Sequence, residues 1–243
     1  MNSGEEPFFL SVVIPVFNEE RVVLDAIRCV EAYRQVKGQA WEILVVNDGS
    51  KDQTSSLVRN YIQSSGTDFV KLLSFDKNRG KGAAVRQGVL ASKGKYILVT
   101  DADLSSPIKE ADKLLRAMEY GADVAIGSRA LRERGADVQQ SFKRALSGRI
   151  FNALVHLLVL PGIHDTQCGF KCFRRAAALD IFSAQKLDGF SFDVEALYLA
   201  RKKGYKINEV PVMWRQGEKS SVSLFRDSQR MLGDLFKIKK IHG

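Results

Sequence analysis

Asp101, Ala102 and Asp103 place two carboxylates two positions apart, directly after the apolar run at residues 96–100. Hard divalent cations take oxygen ligands, and Mg2+ commonly combines one or two carboxylates with substrate phosphates. A cation held there, Mg2+ or Mn2+, would bridge a diphosphate and stabilise its charge as it leaves. Aspartates in loops also form turns and helix caps; the place after a strand favours ligation here. Arg79-Gly80-Lys81-Gly82-Ala83-Ala84 opens a helical pattern that continues through Val85, Val89 and Leu90. Glycines ahead of a helix let an anion approach its positive end, so Arg79 and Lys81 are expected to face phosphate or sugar. Val85 stands at the third glycine position of a dinucleotide fingerprint, and no Walker A sequence is present. Asp48, in Asn47-Asp48-Gly49-Ser50, can accept hydrogen bonds from a base or ribose, while Ser50 or Asp52 suits a helix cap.

The elements that must position these groups are legible as apolar, β-branched runs at residues 10–16, 42–47, 69–74, 96–100 and 123–127. Helical spacing separates them: Val22, Val23, Ala26, Ile27 and Val30 in the first interval, Leu57, Val58 and Ile62 in the second. Alternating strands and helices imply a parallel sheet with right-handed crossovers. Ligands of such sheets bind beyond the carboxyl ends of the strands. All five ends carry polar, charged or glycine residues, finishing with Ser128-Arg129 after the fifth. The expected fold class is therefore α/β, a Rossmann-like, mostly parallel sheet flanked by helices. The second half is less regular. It reads as a helix over 141–160, a loop at 165–170 entering a short strand, a helix over 192–203 and a strand over 206–214. A last helix, over 221–241, has Leu224, Met231, Leu235 and Ile238 on one face. One domain spans 1–243, with a core over about 8–219 and a basic amphipathic helix over 220–243.

Composition narrows the class. With 243 residues, 45% hydrophobic and 27% charged, the chain suits one large globular domain. The acidic first residues lead to no expectation of a secretory signal, and the longest apolar run, 150–160, is short for a bilayer and contains Asn152 and His156. Cys29, Cys168 and Cys172 form no CxxC pair and read as reduced thiols. His164 and Cys168 have a metal-like spacing but lack partners for zinc. The net charge is +9, and residues 201–243 hold 11 Lys or Arg against 4 Asp or Glu. Such an end suits nucleic acid, an anionic membrane surface or phosphorylated ligands. Lys237, Lys239 and Lys240 beside the apolar stripe of the last helix suit interfacial lipid binding, although the same stripe would serve a core. Trp41 and Trp214 read as packing residues, His156 as a packed or interfacial one, and Asp193 and Glu195 as helix-opening acids, with a catalytic or sugar contact for one of them as the lesser alternative.

Five segments occur in order: Val12-Val13-Ile14-Pro15-Val16-Phe17-Asn18-Glu19, Val45-Val46-Asn47-Asp48-Gly49-Ser50, Asn78-Arg79-Gly80-Lys81-Gly82, Asp101-Ala102-Asp103 and Gly127-Ser128-Arg129. Together they resemble inverting GT-A-type glycosyltransferases of the polyprenyl-phosphate class, over about residues 10–235. That class includes dolichyl-phosphate β-glucosyltransferases and dolichol-phosphate mannose synthases. Asp165-Thr166-Gln167-Cys168-Gly169-Phe170-Lys171 and Gly82-Ala83-Ala84-Val85-Arg86-Gln87-Gly88 resemble the glucosyltransferase branch.

The resemblance implies a nucleotide-diphosphate sugar as donor, with UDP-glucose ahead of GDP-mannose, and a polyprenyl or dolichyl phosphate as acceptor. Pro15, Phe17, Glu19 and Asp48 match nucleoside-holding positions. With Val46, Arg79, Lys81, Asp101 and Ala102 they make up the nucleotide-sugar set. Asp101 and Asp103 match the metal position, and Arg129 and Arg144 the residues that receive the acceptor phosphate; Asp103, Arg129 and Arg144 form the catalytic set. Phe17 stands where Tyr is frequent, Asn47 where a second Asp is common, and Ser105 where some mannose synthases carry Gln. The acceptor phosphate is already an anion, so it needs placement by a bidentate Arg fork rather than a strong base. A single displacement would invert the anomeric centre. The implied setting is peripheral, on the cytoplasmic face of a membrane, with a membrane-protein partner left open. Two other classes stay open: a glycosyltransferase with a non-lipid acceptor, and a module binding anionic surfaces or nucleic acid. The five decorated strand ends do not need the latter, so no nucleic-acid partner is expected.

Overall fold

The apolar runs become strands because both of their faces are covered. Every residue of β2 (Trp41–Asn47) is buried, as are most of β1 (Phe8–Val16) and β4 (Gly94–Val99). Continuous burial is the pattern of a parallel sheet sandwiched by helices. The computed structural model describes residues 7–131, 138–139, 155, 159–215 and 226–243. Within them, β3 (Val70–Ser74), β5 (Val124–Ser128), β7 (Lys171–Arg174) and β8 (Ile207–Pro211) complete a seven-stranded sheet of order β3-β2-β1-β4-β7-β5-β8. A small pair joins β6 (Val138–Gln139) to β9 (Trp214–Arg215).

Six strands run parallel, and β7 lies antiparallel between β4 and β5. This reversal is a departure from uniform alternation, and it has a consequence for chemistry. The residues just before β7 reach the same edge at which β4 and β5 end. The strand expected over 206–214 is divided, with β8 stopping at Pro211, which has no N–H to continue a ladder.

The α-helices with bounds among the described residues are α1 (Val23–Lys37), α2 (Thr54–Ser65), α3 (Lys81–Ala91), α4 (Ala111–Glu119), α5 (Arg175–Ala184), α6 (Phe192–Lys202) and α7 (Arg226–His242). Of these, α4 fills the interval between the fourth and fifth strands, where alternation called for a helix without naming its residues, and α5 adds to the expected set; the helix expected over 141–160, with His156, lies largely outside the described residues.

Alternation along β1 divides the core. Val13 faces the side covered by α3, α5, α6 and α7, while Val12 and Ile14 face α1, α2 and α4. Met231, Leu235 and Ile238 of α7 are buried in the first of these layers, Ile238 completely. Burying each such side chain is worth about 1.5–3 kcal/mol. The stripe anticipated as a possible lipid-binding face is therefore a core face. What α7 turns outward is Phe236, Lys237, Lys239, Lys240 and Ile241.

Candidate active site

The first two strand ends are stitched to each other. Asn18 N–H donates to Ser50 Oγ at 2.9 Å, Lys51 N–H to Asn18 Oδ1 at 2.8 Å, and Glu19 N–H to Thr54 Oγ1 at 2.8 Å. Asp52 Oδ1 accepts Thr54 N–H at 3.0 Å, but neither Ser50 nor Asp52 is the helix cap expected of them: that position is Gln53, whose side chain makes no cap bond. Asn18 takes a positive φ of 55°, a conformation asparagine tolerates better than most residues. The result leaves the Phe17 ring exposed and the Glu19 carboxyl half-buried at the sheet edge, beyond the partly covered Pro15. Burial raises the Glu19 pKa, and the charges of Asp103, Asp101 and Asp52 raise it further. Val46 is a correction to the expected nucleotide set. Its side chain is fully buried in the core layer, where a Cβ on Gly88 would sit 2.9 Å from its Cγ2.

Asp48 holds the next loop. Its carboxylate accepts Asn78 Nδ2 at 2.9 Å, Arg79 N–H at 2.7 Å and Gly80 N–H at 2.9 Å. Burial raises its pKa despite those backbone bonds. Three internal donors fill most of a carboxylate's acceptor capacity, so Asp48 anchors the Arg79–Lys81 loop rather than standing open. The start of α3 differs from expectation in the same way. Gly82 N–H and Ala83 N–H donate to Asp188 O at 2.8 and 3.2 Å. The helix end expected to receive a ligand anion is capped by the protein's own carbonyl. The glycines there serve this close approach: a Cβ on Gly80 would lie 2.3 Å from Asp188 O, and one on Gly82 2.6 Å from Leu187 O. Arg79 stacks its guanidinium 4.8 Å from the Phe75 ring centroid.

Lys81 itself reaches the carboxylates. Its Nζ lies 2.5 Å from Asp101 Oδ1. Burial opposes both charges, but the partner together with the surrounding charges, Lys171 and Arg129 for Asp101 and Asp193 and Asp103 for Lys81, outweighs it: the Asp101 pKa is lowered and the Lys81 pKa raised. Asp101 is also closely walled. A Cβ on Gly169 would fall 2.3 Å from Asp101 Oδ2, so any larger residue there would have to push the Asp101 carboxylate aside. Ala102 is buried, and Asp103 is exposed, its carboxylate accepting Ser105 N–H at 2.9 Å and Ser105 Oγ–H at 2.8 Å.

Behind this corner Lys171, the first residue of β7, is buried and pairs with Asp193 at 2.5 Å while donating to Cys168 O. Burial raises the Asp193 pKa, partly offset by the Lys171 charge. Cys168 and Cys172 are buried thiols raised to about 11 and about 12, chiefly by burial, which makes them poor nucleophiles.

Arg129, after β5, is held by a carboxylate from the β7 approach. Its Nε and Nη2 meet Asp165 Oδ2 and Oδ1 at 2.7 and 2.8 Å, and its own N–H donates to Oδ2 at 2.8 Å. Its guanidinium lies 5.4 Å from the Trp214 ring centroid, so Trp214 does more than fill space. Burial opposes both charges, yet the pair prevails: the Asp165 pKa is lowered and that of Arg129 raised. Glu209 on β8 supports the arrangement, accepting Ser128 Oγ–H at 2.7 Å and Asp165 N–H at 2.8 Å. Arg129 thus offers a ligand the remaining part of its fork, chiefly Nη1. Arg144 lies outside the described residues.

The structure brings Glu19, Lys81, Asp101, Asp103 and Arg129 to one edge, where Glu19, Lys81, Asp101 and Arg129 each feel the charge of at least one other of the five. Asp165, Gly169, Lys171 and Asp193 join them as site-building residues that sequence roles did not assign. The signal available for the first three was the density of polar and glycine residues at 165–171, and for Asp193 only its place in the first turn of a helix; the reversal of β7 that makes both matter is not visible in periodicity.

Residues 11–182 match the model for glycosyl transferase family 2. The chain is 39% identical over 241 residues to the dolichyl-phosphate beta-glucosyltransferase of Homo sapiens, covering 95% of this chain and 74% of that one. It is 38% identical over 255 residues to the enzyme of the same name from Saccharomyces cerevisiae, covering 98% and 76%. Among solved structures, glucosyl-3-phosphoglycerate synthase from Mycobacterium tuberculosis, in complex with Mn2+, uridine-diphosphate and phosphoglyceric acid, shares the fold. Its TM-score is 0.72 at 17% identity, with 95% of this chain and 78% of that one covered. With a GT-A sheet, charged groups gathered at its edge and this degree of identity, the chain belongs to glycosyl transferase family 2, as a glycosyltransferase of the dolichyl-phosphate β-glucosyltransferase group.

Proposed function

We propose that this enzyme transfers glucose from UDP-glucose to dolichyl phosphate or a related polyprenyl phosphate, inverting the anomeric centre. The sugar and acceptor follow from what the human and yeast relatives are named for. The observation that carries the proposal is the run of charges along one edge. Glu19 and Asp103 come first, then Asp101 with Lys81, then Arg129 with Asp165. Donor and acceptor are both anions, and this order supplies separate positive groups for each.

Asp101 and Asp103 are the residues that would hold a divalent cation, Mg2+ or Mn2+. They fit it chemically: both are hard oxygen donors, and they stand close enough together at the edge that both charges act on Glu19, adding to the burial that raises its pKa. Among the described residues no three His, Cys, Asp or Glu side chains gather to hold an ion unaided, which suits an ion that completes its shell with substrate phosphates. When bound, such an ion would stabilise charge on the departing diphosphate.

The protein's own groups do the remainder. Lys81 adds a fixed positive charge beside Asp101, and its raised pKa keeps it charged at neutral pH. Asp48 fixes the loop that carries it, and Phe17 and Pro15 offer an apolar surface to the base. Arg129, oriented by Asp165, holds the acceptor phosphate with its free edge and offsets repulsion between the two phosphate groups. Orientation of two bound reactants supplies much of the rate. No helix among the described residues is long and apolar enough to cross a membrane. Peripheral contact with the cytoplasmic face would fall to the outward side of α7, where Phe236 and Ile241 flank Lys237, Lys239 and Lys240.

Calorimetric titration with UDP-glucose tests the donor half. Binding should require Mg2+ or Mn2+, vanish in excess chelator and weaken in Asp103→Ala. Metal-independent binding of equal strength would overturn the metal assignment, and preference for GDP-mannose would overturn the sugar.

A further inference from the structure

The last turn of α7 reaches into the protein behind the donor corner. His242 Nε2 lies 2.6 Å from Glu195 Oε1, and Glu195 is fully buried. The same carboxylate accepts Lys186 N–H and Leu187 N–H, each at 2.8 Å. Lys202 Nζ donates to His242 O, tying the helix end down a second time. Independently, Ser191 Oγ–H donates to Asp234 Oδ2 at 2.9 Å and the buried stripe of α7 packs on the core.

The segment that Glu195 holds, between α5 and α6, lies against the start of α3. Asp188 O accepts Gly82 N–H and Ala83 N–H, and Gln185 Nε2 donates to Gly82 O at 3.1 Å. Arg86 pairs with the Asp188 carboxylate at 2.7 Å. There is no slack in the fit, since neither Gly80 nor Gly82 has room for a Cβ against this segment. Lys81, between those glycines, is the residue that meets Asp101.

We infer that Glu195 and His242 are positioning residues of the donor site. The end of α7 seats the 185–189 segment, and that segment sets the place of Lys81 beside Asp101. The donor role of that corner rests on the activity proposed above. Neither residue contacts Lys81 or Asp101 directly in the hydrogen-bond network described, so both act through the intervening backbone. A purely stabilising role for the buried carboxylate predicts something different: a smaller folded fraction, with both substrates affected alike.

The test uses the full chain with His242→Ala, which leaves the apolar stripe of α7 docked, and His242→Gln, whose amide can still donate to Glu195. Near-ultraviolet circular dichroism reports the folded fraction. Amide exchange at Gly82 and Ala83 reports the clamp without any substrate. His242→Ala should speed that exchange roughly three- to tenfold. It should raise the KM for UDP-glucose by a similar factor, leaving the KM for polyprenyl phosphate unchanged, and His242→Gln should recover most of both effects. Unchanged exchange at Gly82 and Ala83 overturns the inference, as does an equal rise in both KM values. If the wild type does not use UDP-glucose while the exchange effect is present, the clamp stands and the donor assignment falls.

Discussion

Replacing Arg129 by alanine strips Asp165 of both side-chain bonds to its cation and leaves its carboxylate, among the described residues, only the backbone N–H at 2.8 Å. The Asp165 side chain is 2% exposed and that of Arg129 is 22% exposed. Removing one partner of a buried pair costs about 3–5 kcal/mol; the partial exposure of the arginine puts this case at the low end, about 3 kcal/mol. For a chain of this size each kcal/mol moves Tm by about 2–4 °C, so a fall of roughly 6–12 °C is expected at pH 7. The pH dependence has a definite sign. In the wild type the Asp165 pKa is lowered, so its stabilising contribution is present above the ordinary carboxylate pKa and is lost as pH falls through the depressed value. In the variant, burial acts without Arg129 and pushes the carboxyl upward, so the variant is weakest at neutral pH and recovers as that group takes up a proton. Differential scanning calorimetry at pH 7 and about pH 5 should therefore show the Tm gap narrowing on acidification. Arg129→Ala with Asp165→Asn should recover part of the loss, because no orphaned charge remains. A Tm unchanged at pH 7, or a gap independent of pH, would refute this reasoning. The same variant should impair use of the acceptor, and Arg129→Lys should restore it only in part, because a point charge cannot both grip Asp165 at two oxygens and present a fork.

Asp103→Ala should abolish transfer while lowering Tm by no more than a few degrees, since the exposed carboxylate contributes only its bonds to Ser105; turnover in Mg2+ and Mn2+ beside a thermal melt checks this. Gly169→Ala should cut kcat by at least about tenfold with the fold intact, because its Cβ would displace the Asp101 carboxylate; normal turnover would show that Asp101 tolerates movement. Ile238→Ala should cost about 2–5 kcal/mol in chemical denaturation, because that side chain is fully buried; a change under 1 kcal/mol would mean α7 is not part of the core. Replacing Phe236 and Ile241 by serine should weaken flotation with anionic vesicles without lowering Tm, and flotation equal to wild type would remove α7 from the membrane contact.

The sheet was legible because its central strands are buried on both faces and so read as unbroken apolar runs: 42–47 and 96–100 needed no long-range information. The residues at the strand ends were legible for the same reason, since the strand rule gives their edge. The antiparallel insertion of β7 was not, because its four residues carry no period that distinguishes direction. With it went the partners: Asp165 for Arg129, Asp193 for Lys171 and Gly169 against Asp101 join residues far apart in sequence. The apolar stripe of α7 was visible, but a stripe is the same whether it meets lipid or core, and only the packing of Leu235 and Ile238 decides. Likewise glycines before α3 announce a close approach without saying whose backbone approaches; it is that of Asp188.

Glucosyl transfer to a polyprenyl phosphate is read most directly from the mass and linkage of the product. Purified protein incubated with UDP-glucose, a short polyprenyl phosphate and Mg2+ or Mn2+ should yield a polyprenyl monophosphate heavier by one hexose, with a β linkage from the α-linked donor. Release of free glucose alone, transfer from GDP-mannose instead, or an α-linked product would contradict the account.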